Sequence, residues 1–334
     1  MTYSYVDTDS GNDANGGTGT GDAWLTLIHA MDADLDLVTA TESHTIRVYG
    51  SVDQDMNTGS RYLLDGWAVN ATYRLYIENY EAGWDGKWDE AVWHMINTNT
   101  AGMEIRDDYV TFNKIMVEKT AQSGNYQECI EVAVVAAANE IIFSNCLFKG
   151  AASANRERIL TSIDSDAVLR LYNCAFFNGS TGSHSTASNY VLFTGTTLTI
   201  DNCVFNGGYI GVYVSAGTVT TYNSFYTNQG SAPTGGSFNA GSDYNSTDGA
   251  TAVANNNTND LESQTITYGN AGAGDFSLAS GDGVDDGGAS PIYDYGSVDI
   301  IGTARPQNSV WDRGAFELVA AGGGSIVVLR RRRQ

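Results

Sequence analysis

The chain has 334 residues, of which 42% are hydrophobic, with 38 glycines, only 3 prolines and a formal net charge of -22. This composition favours many short strands joined by tight turns, and the excess of carboxylates disfavours binding to nucleic acid or anionic lipid. No stretch approaches the roughly 20 apolar residues that a bilayer requires, so the sequence predicts no membrane span.

Residues 1–45 are expected to form a strand, a glycine-rich loop and a capping helix. Residues 5–31 read YVDTDSGNDANGGTGTGDAWLTLIHAM. The apolar residues that close this stretch follow a helical spacing, which predicts an amphipathic helix that covers the open end of a tube. This stripe consists of Trp24, Leu27, Ile28, Met31 and Leu35. The N-terminus has neither a basic n-region nor an apolar h-region, so we predict no cleavable signal peptide.

Residues 83–95, GWDGKWDEAVWHM, bring three tryptophans together with several carboxylates. Trp84, Trp88 and Trp93 are candidates for carbohydrate binding, because exposed rings offer apolar area to sugars and carboxylates bind hydroxyl groups. The alternative, which we favour, is a loop folded against the wall of the protein with its rings half buried.

Residues 46–240 carry an internal repeat. Four segments align: IIFSNCLFKG at 141–150, LRLYNCAFFNG at 169–179, LTIDNCVFNGG at 198–208 and VTTYNSFYTNQG at 219–230. Their asparagines are Asn145, Asn173, Asn202 and Asn223, at spacings of 28, 29 and 21 residues, and related units place Asn113 and Asn79 before them. A period that varies by whole loops in this way predicts a solenoid.

Stacked turns of a solenoid place like residues over like, about 4.8 Å apart. We therefore expect the repeated asparagines to lie over one another at a strand bend and to hydrogen-bond from turn to turn. Two further columns are expected inside the tube, made of Phe148, Phe176, Phe205 and Phe225 and of Cys146, Cys174 and Cys203. No cysteine spacing is typical of zinc, so the cysteines are interpreted as small hydrophobic residues of the core.

Residues 241–318 are expected to hold the last rungs and a closing segment, and residues 319–334 are expected to form a tail. The tail ends in GGGSIVVLRRRRQ, a glycine-rich linker, an apolar run and a basic cluster. Such a run can add to the sheet edge of a neighbour while the arginines meet an acidic surface, for example the body of another copy. The residues assigned to docking are Ile326, Val327, Val328, Leu329, Arg330, Arg331, Arg332 and Arg333.

The repeat and the N-terminal segment resemble the right-handed parallel β-helix superfamily, which includes pectate lyases, polygalacturonases and phage tailspikes. SPIYDYG at 290–296 and DRGAFE at 312–317 resemble closing segments of such proteins, so the resemblance spans residues 5–317. It implies an all-β, right-handed parallel β-helix solenoid with an N-terminal capping helix and an extended C-terminal tail. It says little about activity, because this fold hosts unrelated functions.

Pectate-lyase-like enzymes combine carboxylates that bind Ca²⁺ with a basic residue that acts as the base. The densest match is residues 155–170, NRERILTSIDSDAVLR, where Arg158, Asp164, Asp166 and Arg170 are the candidate catalytic residues. Asp164 and Asp166 are two residues apart and would share one face of a strand. The alternative, which we favour, is a solvated loop of mixed charge.

The polygalacturonase pattern is incomplete in this chain. Asp107 and Asp108 give its DD pair, but no GHG or RIK motif follows, so both are interpreted as turn residues before the strand at Tyr109. The Asp-rich residues 7–13 and 281–288 fit neither an EF-hand loop nor the nine-residue calcium repeat. We therefore predict no metal centre and no cofactor, with Ca²⁺ as the alternative.

The leading functional hypothesis is a non-enzymatic structural or adhesive virion protein, such as a bacteriophage decoration protein, fibre or tailspike-like projection. Its partners would be other virion proteins reached through the tail, further copies of itself and surface polysaccharide, and it would be located in the virion or outside the cell after release. The missing catalytic signatures, the missing secretion signal and the resemblance to tailspikes favour it. The alternatives are a polysaccharide lyase or glycoside hydrolase of the pectate-lyase-like superfamily, and a secreted carbohydrate-binding β-helix.

Overall fold

In the part of the chain that the structure describes, the backbone winds through three parallel β-sheets of eight, seven and eight strands, and from β2 (His44–Tyr49) to β22 (Thr234–Gly235) it places one strand in each sheet per turn. This architecture comes from a computed structural model, which describes residues 1–56, 61–98, 101–120, 127–134, 139–151, 157–179, 189–231, 233–250, 253, 257–278, 288–289, 298–306 and 311–318. The fold is therefore an all-β parallel β-helix, as the repeat predicts.

In spatial order, sheet 1 contains β1 (Thr2–Asp7), β2 (His44–Tyr49), β5 (Leu75–Asn79), β8 (Val110–Asn113), β11 (Ile141–Ser144), β14 (Val168–Tyr172), β17 (Thr197–Asp201) and β20 (Thr218–Tyr222). Sheet 2 contains β3 (Gln54–Asp55), β6 (Met95–Asn97), β9 (Met116–Lys119), β12 (Leu147–Lys149), β15 (Ala175–Gly179), β18 (Val204–Gly207), β21 (Phe225–Thr227) and β23 (Ser246–Thr247). Sheet 3 contains β4 (Tyr62–Leu64), β7 (Ala101–Ile105), β10 (Gln127–Val132), β13 (Glu157–Ser162), β16 (Asn189–Phe193), β19 (Ile210–Val214) and β22 (Thr234–Gly235). Outside the stack, β24 (Tyr268–Asn270) and β25 (Asp275–Leu278) form an antiparallel pair.

A column of asparagines marks the corner between sheets 1 and 2. Strand register places Ser144 beside Tyr172 and Tyr172 beside Asp201, so the residues that follow, Asn145, Asn173 and Asn202, lie over one another. Each has a left-handed backbone, with φ of 56°, 50° and 54°, a conformation that Asn tolerates better than most residues. The Asn173 amide donates to Asn145 Oδ1 at 3.2 Å. The predicted stacking is confirmed.

The position predicted for Asn113 is wrong by one residue. Asn113 pairs with Ser144, and Lys114 takes the left-handed corner with φ of 58°. The buried faces set this register, because Phe112 stacks on Phe143 at 4.8 Å, and a one-residue slip would turn the apolar face outward. The Asn113 side chain still joins the column, since its Oδ1 accepts from the Asn145 amide at 2.9 Å.

Aromatic rings stack through the interior of the central rungs. Phe176 lies between Phe148 and Phe205, with ring centroids 4.4 and 4.8 Å apart. The next ring is Tyr226, 4.9 Å from Phe205, so the predicted place of Phe225 is wrong. Strand register pairs Phe205 with Tyr226, and alternation along β21 turns Phe225 to the outer face of sheet 2.

The cysteines lie in the core beside these rings. Cys146, Cys174 and Cys203 are fully buried, Cys129 is also buried, and all four are thiols rather than members of a disulfide. Burial raises the pKa of the Cys146 and Cys174 thiols well above the usual value. Thiols in this state are poor nucleophiles and metal ligands, which agrees with their interpretation as packing residues.

The N-terminal end of the tube carries two short helices, α1 (Leu27–Met31) and α2 (Leu37–Ala40), and a 3₁₀ turn at Thr20–Asp22. Thr26 caps α1 by accepting a hydrogen bond from the His29 amide at 3.2 Å. Leu27 and Met31 are buried in the core as predicted, but α1 ends at Met31 and leaves Leu35 41% exposed.

Residues 298–306 and 311–318, here called the C-terminal strap, run along the outer side of the asparagine corner. Asn173 donates to Val298 O at 3.0 Å, and Arg305 Nη1 donates to Asn202 Oδ1 at 2.8 Å. Strap side chains complete a second apolar cluster on the outer face of sheet 2. This cluster contains Trp88, Met116, Leu147, Ala175, Phe177, Val204, Phe225, Phe276, Leu278, Ile300, Ala315 and Phe316.

Candidate functional site

The four residues predicted for catalysis lie on three different elements. Arg158 is on β13 in sheet 3, where Nη1 donates to Glu128 Oε1 at 3.2 Å. Arg170 is on β14 in sheet 1 and pairs through Nε with Glu140. Asp164 and Asp166 lie in the turn between these strands, where Asp164 Oδ1 accepts from the Asp166 amide at 2.9 Å. Each arginine therefore pairs with a carboxylate of the preceding rung, on a different wall of the tube.

A set of carboxylates that sequence reasoning missed surrounds Arg61 on sheet 3. Arg61 Nη1 lies 2.6 Å from Glu131 Oε1 and 2.9 Å from Glu104 Oε2, and Arg61 Nη2 lies 3.4 Å from Glu128 Oε2. Arg158 contacts the same group through Glu128. We call Arg61, Glu104, Glu128 and Glu131 the carboxylate cluster. The Glu104 and Glu131 side chains are only 9% and 6% exposed.

The carboxylates of this cluster differ in acidity. Burial and the hydrogen bond with Glu128 raise the pKa of Glu131 to about 7, although Arg61 opposes the shift. Burial also acts to raise the pKa of Glu104, but hydrogen bonds from Arg61 and Arg106 hold it below its usual value. Glu131 can therefore donate or accept a proton near neutral pH, as a general acid or base must.

The sequence contains one signal that could have revealed this cluster. Glu128 and Glu131 stand within QECIEV, and Glu104 stands within AGMEI, in otherwise apolar strand segments. Glutamate is rarely buried unless it has a partner. The partner Arg61 precedes β4 and lies 70 residues from Glu131, so local spacing could not identify it.

The three tryptophans occupy different environments. Trp93 is fully buried and donates to Val48 O at 3.3 Å. Trp88 is 9% exposed and stacks on His94 at 4.4 Å. Trp84 is half buried and donates to Ile300 O of the strap at 3.1 Å. Of the three, Trp84 lines a cavity of about 140 Å³ that also contains Asp85, Lys87 and Asp89.

Beside Trp88, three potential metal-binding side chains come together. The ligand atoms of Glu90, His94 and Glu118 lie within 4.8 Å of one another. Lys149 Nζ lies 2.5 Å from Glu90 and 2.9 Å from Glu118. The ammonium group already supplies the positive charge that these carboxylates require, so the group forms an ion-pair network over the Trp88 ring, 4.9 Å from Lys149 Nζ.

The other acidic candidates have local roles where the structure describes them. Asp7 accepts from the Ser10 amide and hydroxyl at 3.0 and 2.6 Å, and Asp13 accepts from the Thr26 amide at 2.9 Å. Asp107 accepts from the Gly66 and Trp67 amides at 2.8 and 3.2 Å, and burial raises its pKa to about 6. Residues 281–287 and the whole tail, 319–334, lie outside the described residues.

Comparison with protein-family models, characterised proteins and solved structures gives no match. Within the described ranges, no helix has the length and apolar character needed to cross a bilayer.

Proposed function

We propose that the protein is a non-enzymatic structural or adhesive virion protein, of the bacteriophage decoration, fibre or tailspike type, that projects as a rigid β-helix and is anchored by its C-terminal tail. The observation that carries this proposal is that ionic side chains on the walls pair between rungs. Arg47 lies 2.9 Å from Glu78, Arg74 lies 2.7 Å from Glu140, and Arg158 lies 3.2 Å from Glu128.

Such pairs suit a rod better than a reaction centre. Each one ties a rung to another rung, and networks of pairs stabilise more than isolated surface pairs. The catalytic candidates of the sequence take part in this pattern, since Arg158 and Arg170 are both held by glutamates. The C-terminal strap adds contacts along the stack and supports a stiff projection.

Immuno-electron microscopy tests this proposal. Antibodies raised against the folded chain should label virions that carry the protein, at a single structural feature of each particle. A matched chain that lacks residues 322–334 should fold with the same circular dichroism spectrum but fail to assemble into particles. Virions that carry no label, or equal incorporation of the shortened chain, would contradict the proposal.

The carboxylate cluster favours a second candidate function, that of a polysaccharide lyase or glycoside hydrolase similar to pectate-lyase-like enzymes. The supporting observation is Glu131, with a pKa of about 7 and Glu128 as its hydrogen-bonding neighbour. A carboxyl group with such a pKa can act as the general acid or base in cleaving a glycosidic bond.

Turnover assays separate the two functions. The full chain is incubated with a panel of acidic and neutral polysaccharides while reducing ends and unsaturated products are measured. Enzyme activity would appear as turnover that falls at least a hundredfold in Glu131→Gln and persists in the control Glu78→Gln, which alters an ion pair on sheet 1. No turnover across the panel supports the structural proposal.

Glycan adhesion belongs to the structural proposal and is tested at Trp84. Trp84 and the neighbouring acids line a cavity, which suits contact with a sugar. Trp84→Ala should weaken binding on a glycan array. The control Tyr80→Ala removes an aromatic side chain that is 45% exposed, and it should not weaken binding. If both variants lose glycan binding equally, the cavity at Trp84 is not the sugar-binding site.

A further inference from the structure

A groove of about 480 Å³ opens at the N-terminal end of the tube. Its volume lies within the ~300–1,000 Å³ typical of ligand sites. The apolar residues that line it are Tyr3, Trp24, Ala33, Leu35, Leu37 and Ala40. Tyr3 and Leu35 are 39% and 41% exposed. We call this feature the N-terminal groove.

The edge of sheet 1 opens into the N-terminal groove. The loop before α1 covers the C-terminal half of β1. There the Tyr5 amide donates to Gly17 O, and Tyr5 O accepts from the Trp24 amide, each at 2.9 Å. Because backbone groups alternate along a strand, those of Tyr3 also point away from β2. Tyr3 lines the groove, so an extended peptide can pair with β1 there.

Charge indicates which peptide fits. Residues 1–46 contain eight Asp or Glu residues and no Lys or Arg. The first cation of the chain, Arg47, lies 3.9 Å from the Tyr3 ring centroid and is paired with Glu78 at 2.9 Å. Two of the eight acids, Asp36 and Glu42, line the groove, where Asp36 also caps α2 and Glu42 lies 3.3 Å from the N-terminal ammonium group. Residues 318–334 contain four arginines and no Asp or Glu. The arginines directly follow the apolar run at 326–329, so the tail matches an apolar groove with an acidic rim.

We propose that the N-terminal groove of one copy receives residues 326–333 of a second copy. The apolar run adds a strand beside β1 and places alternate side chains among Trp24, Leu35 and Leu37, while the arginines meet Asp36, Glu42 and the neighbouring acids. The inference rests on the proposed function, because it names the partner to which the tail binds. Because the groove and the tail are different parts of the chain, their contact is heterologous, which produces open chains or closed rings of copies.

Sedimentation velocity of the full chain over a concentration series tests this contact. We expect oligomers that grow with concentration, dissociate as salt is added and dissociate when a synthetic peptide of residues 322–334 is supplied in excess. Leu35→Arg places a cation and a larger side chain in the groove and should raise the dissociation constant at least tenfold. The matched control Ile163→Arg changes a residue that is 52% exposed, on the turn after β13, and should leave it unchanged.

The outcomes separate this inference from the proposed function. A full chain that stays monomeric at every concentration overturns docking between copies, and self-association that Leu35→Arg does not weaken overturns the location of the site. A peptide that fails to compete excludes the tail as the occupant. If any of these is found while deletion of residues 322–334 still prevents assembly into particles, the anchoring role stands and its partner is a different virion protein.

Discussion

The interior of the tube and the C-terminal strap stabilise the same rungs in different ways. Inside, Phe176 contacts the rings of the adjacent rungs, Phe148 and Phe205, which are 28 and 29 residues away. The strap instead reaches rungs far apart in sequence, since Trp84 bonds to Ile300, 216 residues away, and Asn173 bonds to Val298, 125 residues away. Stacking therefore joins neighbours, whereas the strap couples distant rungs into one unit.

The chemistry of the two regions also differs. The core inside the tube consists of aliphatic side chains, aromatic rings and thiols, while the strap buries two arginines. Arg305 donates to Asn202 Oδ1 and Gly314 O at 2.8 Å, and Arg313 donates to Asn245 O at 2.6 Å and Asn259 O at 2.8 Å. Burial lowers the pKa of Arg313 to about 10. A buried cation requires exact hydrogen-bond partners, so the strap fits only at a defined position on the stack.

The largest loss of stability is expected inside the tube. Phe176→Ala removes a fully buried ring from the middle of the stack and should lower the free energy of unfolding by about 3–5 kcal/mol. Phe176→Leu fills part of the cavity and should cost less. Urea unfolding followed by circular dichroism measures both. A loss below about 1 kcal/mol for Phe176→Ala would show that the rungs do not depend on this column.

The next largest loss is expected in the strap. Arg305→Ala leaves Glu317, 3.8 Å from Arg305 and equally buried, without its cation, and should cost about 3 kcal/mol. Replacing both, with Arg305→Met and Glu317→Leu, should recover part of this loss. The control Arg47→Ala breaks a part-buried ion pair whose side chains are 21% and 26% exposed, and it should cost less than Arg305→Ala because solvent reaches the carboxylate that remains.

Proteolysis distinguishes the effect of Arg305→Ala from a general loss of stability. Release of the strap should expose the outer face of sheet 2 before the rungs unfold. Cleavage within residues 298–318 is therefore expected at denaturant concentrations where the control Arg47→Ala is intact. Simultaneous cleavage throughout the chain would contradict the separate role that we assign to the strap.

The central rungs could be predicted from the sequence, whereas the C-terminal strap and the carboxylate cluster could not. The central rungs were predictable because Asn145, Asn173 and Asn202 recur with their apolar neighbours, and Phe225 was misplaced because alignment of aromatic residues ignores which face is buried. The strap has no repeat, and Arg305 looks like a surface residue until Asn202 and Gly314 are placed beside it. The carboxylate cluster was missed for the same reason, since its members come from three separate rungs.

A smaller effect is expected at the asparagine corner, where the two regions meet. Asn145→Gly and Asn173→Gly both keep the left-handed backbone, so each measures the loss of side-chain hydrogen bonds. Asn145 bonds to neighbouring rungs, whereas Asn173 also donates to Val298 of the strap at 3.0 Å. Asn173→Gly should therefore cost more, about 1–2 kcal/mol in urea unfolding. Equal costs would mean that this contact with the strap adds no stability.

The smallest expected effect is a pH dependence of stability that arises on the walls of the tube, outside the interior and the strap. Its source is the Glu131 carboxyl group on sheet 3. The pKa of Glu131 in the folded protein, about 7, lies above the usual 4.5, so between these values the folded state binds more protons than the unfolded state. Its contribution to stability is thus fully present below the unfolded pKa and is lost as the pH rises through 7. Asp107, raised to about 6, acts in the same direction, and His44, lowered to about 4 by burial, acts in the opposite direction.

Comparison of variants isolates Glu131 from these other groups. Between pH 5 and pH 8 the wild-type chain should lose on the order of 1 kcal/mol more stability than Glu131→Gln, after allowance for solvent access and for attraction to Arg61. The control Glu78→Gln should keep the wild-type pH dependence, because it leaves the carboxylate cluster intact. Unfolding midpoints at the two pH values provide the measurement. If Glu131→Gln keeps the full wild-type slope, Glu131 is ionised throughout this range, and the observation that favours an enzymatic role disappears with it.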